Sequence, residues 1–267
     1  MRFTLIISFL FSSFCSLGQE LTFVCQDSVK GDFDRFSVDN LGRIYLVQED
    51  VIIQFNSDLD TLFTASLKSI RPTSIQSSKS FRTLLFDEER SIVQFLDNTL
   101  TDLHGNIDLV NLDIQQAILA CESFGGDTFW VLDAASLRLI RLNEKLEKVV
   151  ITENLVTIFN DATLPTQMKE VNDFLYILIP GKGVALFDVF GTFMTLYPCQ
   201  AERIDALGNS LLVLTKDELH IVSVNTILEK VSSYPLPFGV RDFVFTHKKI
   251  YLLTDEGLYI GGFKSDH

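Results

Sequence analysis

Ile44-Tyr45-Leu46-Val47, Leu84-Leu85-Phe86, Phe129-Trp130-Val131-Leu132, Leu175-Tyr176-Ile177-Leu178, Leu211-Leu212-Val213-Leu214 and Ile250-Tyr251-Leu252-Leu253 are six short apolar runs of one character. Their first residues lie 40, 45, 46, 36 and 39 positions apart. Each run is too short for a buried helix and rich in β-branched and aromatic residues, so each reads as a strand covered on both faces. A period of about forty residues, with every unit β-rich and none carrying a 3.6-residue repeat, is the mark of a propeller blade. Six units fill the chain. The prediction is an all-β fold, a six-bladed β-propeller with very little helix.

Turn signals between the runs support the count: Asp39-Asn40-Leu41-Gly42, Asp87-Glu88-Glu89-Arg90, Asn172-Asp173, Gly181-Lys182-Gly183, Gly208-Asn209, His247-Lys248-Lys249 and Asp255-Glu256-Gly257. The last unit offers only three strands, Val240–Thr246, Lys249–Thr254 and Leu258–Phe263. Its open edge would sit beside the first blade. Leu21–Cys25 is an apolar strand with no other partner, so the last blade is predicted to be completed by this N-terminal strand, which removes the edge. The 23 phenylalanines suit stacked sheets about 10 Å apart. Phe36, Phe55, Phe63, Phe86, Phe95, Phe129, Phe187, Phe193, Phe243, Phe245 and Trp130 are assigned to that core.

The first residues carry one positive charge at Arg2, an apolar run from Leu5 to Phe14, and the small residues Ser16 and Gly18. That pattern reads as a secretory signal peptide over residues 1–18, cut before Gln19. The run falls short of the roughly 20 residues a membrane span needs. Bulky Phe14 argues against lipid attachment at Cys15. Residues 19–267 then form one propeller domain, since no linker-like or charge-blocked stretch interrupts them. Cleavage of 18 residues leaves 249 with 21 basic and 35 acidic side chains, a net charge of −14. Such a field disfavours nucleic acid and anionic membrane surfaces, which need clustered Lys and Arg. Three cysteines remain, Cys25, Cys121 and Cys199, and an odd number makes no complete disulfide framework. All three are read as buried small hydrophobes. The leader, together with the lack of any Asn-x-Ser/Thr site, points to a bacterial periplasm or cell surface.

The segment Asp39–Val47 followed by Ile52-Ile53-Gln54-Phe55 resembles the unit of NHL-like six-bladed propellers, and Gly183–Thr192 repeats the later half of such a unit. With Phe95-Leu96-Asp97-Asn98 and the leader, the chain resembles the secreted six-bladed propellers of Bacteroidota. The resemblance implies a fold and an envelope location and carries over no enzyme's site. The Asp-x-x-Gly turn is missing from the second unit, and neither a Ser-x-Asp-x-Gly box nor a repeated Trp-Asp pair occurs.

No catalytic set is legible. The four histidines, His104, His220, His247 and His267, lack ligand spacing. Gly181-Lys182-Gly183 lacks the glycine spacing of a phosphate loop, and Asp58-Leu59-Asp60 reads as a surface hairpin. One constellation carries a binding hypothesis. Arg35, Arg203 and Arg241 stand at matching places before the strands that begin with Ile44, Leu211 and Ile250, so three guanidinium groups are expected at one channel mouth. There they would hold a carboxylate, a phosphate or an acidic peptide tail, or pair with Asp34, Glu202, Asp205 or Asp242 and merely organise the ring. The leading functional expectation is a non-catalytic protein-interaction scaffold of the bacterial envelope. It would bind an envelope or secreted partner through one propeller face, use no cofactor and be a monomer on its own. Contact loops are expected at Ser77–Phe81, Phe124–Asp127, Asp161–Gln167 and Tyr234–Gly239. The alternative is a metal-dependent lactonase-like or lyase-like propeller enzyme, or a small-anion binder, with Glu170, Glu202 and Asp242 as inward carboxylates that read as ring-pairing charges.

Overall fold

A computed structural model of the protein describes residues 21–79, 82–123, 127–216, 218–224, 229–236, 239–246 and 249–265. The signal-peptide reading, Cys15, His247 and His267 lie outside them. Six four-stranded antiparallel sheets stand in sequence order. Blade one holds β2 (Arg35–Val38), β3 (Ile44–Gln48), β4 (Val51–Phe55) and β5 (Thr61–Ser66), and blade two β6 (Ser74–Lys79), β7 (Arg82–Asp87), β8 (Ile92–Asp97) and β9 (Ile107–Asp108). Blade three holds β10 (Ala117–Glu122) to β13 (Lys148–Ile151), blade four β14 (Gln167–Val171) to β17 (Phe193–Pro198), and blade five β18 (Arg203–Leu207) to β21 (Glu229–Pro235). Among the described residues helix is confined to α1 (Leu155–Phe159) and a 3-10 turn at Val110–Leu112.

Blade six closes the ring as the sequence requires. Its order is β1-β24-β23-β22, built from β22 (Asp242–Phe245), β23 (Ile250–Thr254), β24 (Gly257–Ser265) and the N-terminal β1 (Leu21–Lys30). β1 runs past Cys25 to Lys30, antiparallel to β24 from Leu21 opposite Ser265 to Lys30 opposite Gly257, with a bulge between Cys25 and Asp27. The bulge corrects one expectation. Cys25 is exposed there, its thiol donating to the Asp27 carbonyl at 3.2 Å, whereas Cys121 is buried and Cys199 half-buried.

Each blade-to-blade contact has its own apolar slab, six in all, because the second strand of every blade is covered on both faces. At the closing seam Phe33, Phe36, Val38, Ile44 and Leu46 of blade one meet Tyr251, Leu253, Leu258 and Ile260 of blade six. Trp130, Phe36, Phe86, Phe95, Phe129, Phe187 and Phe243 are buried as assigned. Phe55, Phe193 and Phe245 are only half-buried, and Phe63 is 41% exposed. Blades diverge from the axis, so a rim strand such as β5 gains little cover from its neighbours.

Local sequence sets the turns. The Asp39 carboxylate accepts Leu41 and Arg43 amides at 2.9 Å each, the Arg43 Nε at 2.7 Å and the Tyr45 hydroxyl at 3.2 Å, while Gly42 takes a φ of 80°. A second device recurs between the third and fourth strands of blades one to four. Asn56, Asp97, Asn143 and Asp188 each accept the amides two and four residues on. The residue three on is left-handed: Leu59, Leu100, Leu146 and Gly191. A left-handed leucine costs about 1–2 kcal/mol, which the two side-chain-to-amide hydrogen bonds offset.

Two outcomes test this account. A methyl group on Gly261 would lie 2.1 Å from the Val24 carbonyl, whereas one on Gly262 meets nothing within 4 Å. Gly261→Ala is expected to cost about 2 kcal/mol and lower Tm by roughly 4–8 °C, with Gly262→Ala unchanged; equal melting curves would refute the seam geometry. Asp87 is pushed up by burial but held below its ordinary value by the Arg71 amide and by Arg90; hydrogen bonds from Thr101 and Thr99 likewise overcome desolvation at Asp97. A carboxyl depressed in the folded state contributes stability above the unfolded pKa and loses it as pH falls through the folded one. Melting temperature should therefore drop as pH falls below about 4, and Asp87→Asn should show a shallower acid limb in the same titration.

Candidate functional site

The first strands of the six blades, β2, β6, β10, β14, β18 and β22, wall a central channel of about 860 Å³. They run in one direction, as their cross-links show. Arg35 Nε at the start of β2 donates to the Thr73 carbonyl just before β6 at 2.6 Å, and Asn172 beyond the end of β14 donates to the Gly208 carbonyl beyond the end of β18 at 2.8 Å. First residues therefore gather at one mouth of the channel. The connections between blades, 67–73, 109–116, 152–166 and 199–202, leave from the same end, while the turns at 39–43 and 208–209 lie at the other.

Polar side chains lace the blades together at the blade period. Ser37 Oγ accepts the Ser77 amide at 2.8 Å, Arg82 donates to Glu122 at 2.8 Å, the Trp130 indole donates to Glu170, and the Phe245 amide donates to Asp205 at 2.9 Å; each pair is separated by 40 residues. Gln167 exchanges hydrogen bonds with the backbone of Ile204, 2.9 and 2.7 Å, over 37 residues, and Lys169 forms an ion pair with Asp205 over 36. Gln76 reaches the Met168 carbonyl at 3.3 Å and the Glu122 amide at 3.2 Å. The buried acids Glu122, Glu170 and Asp205 are thus structural ties. Sequence reading took Glu170 for a ring-pairing charge, as it is, but missed the partners. Their signal was present as polar pairs spaced 36–40 residues apart.

The three predicted arginines all line the channel at its mouth, but their guanidinium groups divide. Arg241 turns to the closing seam: it donates to the carbonyls of Phe33 at 2.7 Å and Thr254 at 3.0 Å and lies 3.0 Å from Asp255 and 3.9 Å from Asp32. Arg35 and Arg203 remain exposed. Arg35 donates to the carbonyls of Thr73 and Asp34, each at 2.6 Å, and Arg203 to the Glu202 carbonyl at 2.9 Å. None of the three pairs with the carboxylates of Asp34, Glu202, Asp205 or Asp242, the partners proposed from sequence; Asp34 is taken by the Glu49 amide at 2.8 Å, and Asp205 by Lys169. Between Arg203 of blade five and Arg35 of blade one stands Asp242 of blade six. Burial pushes the Asp242 carboxyl up, and the charges of Arg203 and Arg35 oppose that rise.

Four basic residues line the channel, Arg35, Lys169, Arg203 and Arg241, against six acidic ones, Asp34, Glu88, Glu170, Glu202, Asp205 and Asp242. The mouth is an acidic collar around a basic pair. Among the described residues no group of three or more His, Cys, Asp or Glu side chains is placed to hold a metal ion, and no helix is long and apolar enough to cross a membrane. The expected contact loops divide between the ends: Asp161–Gln167 and Tyr234–Gly239 belong to the mouth, and Ser77–Phe81 and Phe124–Asp127 to the far end. Residues 80–81, 124–126 and 237–238 of these loops lie outside the described ones.

No family model matches the chain, and no curated protein matches its sequence. Solved structures do. The chain is similar to virginiamycin B lyase from Staphylococcus aureus, with a TM-score of 0.62 and 12% identity, covering 91% of this chain and 99% of that one. It is similar to BamB from Moraxella catarrhalis, at 0.55 and 9%, covering 92% and 98%. It is also similar to PorZ, an essential bacterial surface component of the type-IX secretion system of Porphyromonas gingivalis, at 0.53 and 11%, covering 90% of this chain and 39% of that one. At such identities the likeness is one of fold, shared by a lyase and by a secretion-system component alike.

The inter-blade ties make a quantitative expectation. Asp205→Ala removes the partner of Lys169 and of the Phe245 amide in a buried setting, and should cost about 3 kcal/mol in urea unfolding. Glu202→Ala, at an exposed site on the same strand approach, should stay within about 0.5 kcal/mol. Equal effects would show that the ring is held without this tie.

Proposed function

We infer that the protein is a non-catalytic interaction scaffold of the bacterial envelope, secreted by a cleaved leader, and that it engages a partner through the mouth face of the propeller. One observation carries the choice of face. The inter-blade connections emerge there, the longest of them at 152–166, on a rigid ring whose inward acids Glu170 and Asp205 are spent on holding blades together. Val110 and Leu164 stand exposed on those connections, whereas Leu41 and Phe190 of the far face sit on tight turns between strands. Contact surfaces draw on loops set on such a scaffold. The NHL-like pattern of the blades, the leader and the likeness in fold to PorZ, a bacterial surface component, support the location without fixing the partner.

The reading is tested by comparing variants in the native host. Val110→Asp combined with Leu164→Asp changes two exposed positions on the mouth face, and Leu41→Asp one exposed position on the far face. Quantitative affinity purification from the envelope should recover the same partner with wild type and Leu41→Asp and lose it with the double variant, all three melting alike. Recovery indifferent to the mouth variant, or turnover of lactones by the purified protein, would overturn it.

A further inference from the structure

The basic pair at the centre of the mouth is not consumed by the fold. Among the described residues, neither Arg35 nor Arg203 has a carboxylate within salt-bridge distance, and each uses its guanidinium only on neighbouring backbone carbonyls. Arg35 thereby keeps an outer amino group, and Arg203 keeps its Nε and one amino group, for an outside acceptor. Charged donors of this shape prefer the two-pronged grip on a carboxylate. Their neighbourhood sets the charge of the ligand. Lys169 is paired with Asp205, so at the level of the grip Arg203 and Arg35 face Asp242 alone, an excess of one positive charge that one carboxylate neutralises and a phosphate dianion would overshoot. Farther out, Asp34, Glu88 and Glu202 line the same opening. This collar repels polyanions and favours positive charge just behind the bound carboxylate.

We propose that the channel mouth between blades five, six and one is a carboxylate-binding site, with Arg35 and Arg203 as the gripping residues and the collar Asp34, Glu88 and Glu202 selecting a carboxylate carried next to a cation. A peptide C-terminus with a lysine or arginine beside it has that chemistry, and so does a small zwitterionic acid. The proposal rests on the mouth being the working face but not on the apolar loop contacts, so the Arg variants and the Val110/Leu164 variants fail or succeed separately.

Titration calorimetry on the purified full chain would use five ligands: acetyl-Ala-Lys-Ala with a free carboxylate, the same peptide amidated, acetyl-Ala-Glu-Ala with a free carboxylate, β-alanine, and inorganic phosphate. The free lysine peptide should bind best, with amidation and the glutamate substitution each weakening it by about tenfold or more. β-Alanine binding as tightly as the peptide would assign the site to a small zwitterion, and weaker binding to a chain end. Arg203→Gln, whose lost contact is one exposed carbonyl bond, should weaken binding about tenfold. Arg35→Lys keeps the charge and loses the fork, and should also weaken it. Asp242→Asn removes the competing negative charge and should tighten it, a change that loss of fold would not give. No binding by either carboxylate even with Asp242→Asn, tighter binding of phosphate than of the peptide, or affinity indifferent to both Arg variants would each overturn the assignment.

Discussion

Pairing of β1 with β24 is the constraint on which the rest depends. Five blades are continuous in sequence and would form as local meanders, but the sixth needs a strand from the far end of the chain, and without it the fold would present a bare edge to solvent. The seam is reinforced by three kinds of contact: the antiparallel ladder, the Phe33 and Phe36 slab against Tyr251 and Leu258, and Arg241 reaching across to the Phe33 carbonyl. Arg241 illustrates a general division of labour. A residue placed at the channel mouth by blade symmetry is recruited to the one joint that symmetry cannot make.

Most of the architecture was legible because it rests on periodicities that single residues cannot hide. The doubly covered second strands, their spacing of about forty residues and the missing fourth strand of the last blade are all visible in the apolar pattern. What was not legible depends on how far a strand lies from the axis. Phe63 has the same composition signal as Phe86, yet one sits at the rim and is exposed and the other is buried. The recurrent turn that starts at Asn56, Asp97, Asn143 and Asp188 escaped notice because in three of the four it places leucine, not glycine, in the left-handed position. Cys25 lay in an apolar run whose alternation is broken by a bulge.

The candidate site shows the same limit. Position relative to the blade was enough to bring Arg35, Arg203 and Arg241 to one opening, because inner strands run alike. It could not say which guanidinium would be drawn away, since that depends on Asp32 and Asp255, residues of two turns that meet only when the ring is closed. Nor could it distinguish carboxylates that tie blades, such as Asp205 to Lys169, from one such as Asp242 that stands between two charges without pairing. The fold makes a rigid frame out of most of its polar interior, and what it leaves unspent is small and local.

Closure by the two ends also governs how the molecule comes into being. The first strand of the propeller to be synthesised must wait for the last, because Leu21 finds its place only opposite Ser265. Contacts of such separation are slow to form, and until they do, an apolar strand edge stays available to other chains. A protein of this design therefore has a vulnerable interval between emergence and completion, and it ends only when the last strand is in place.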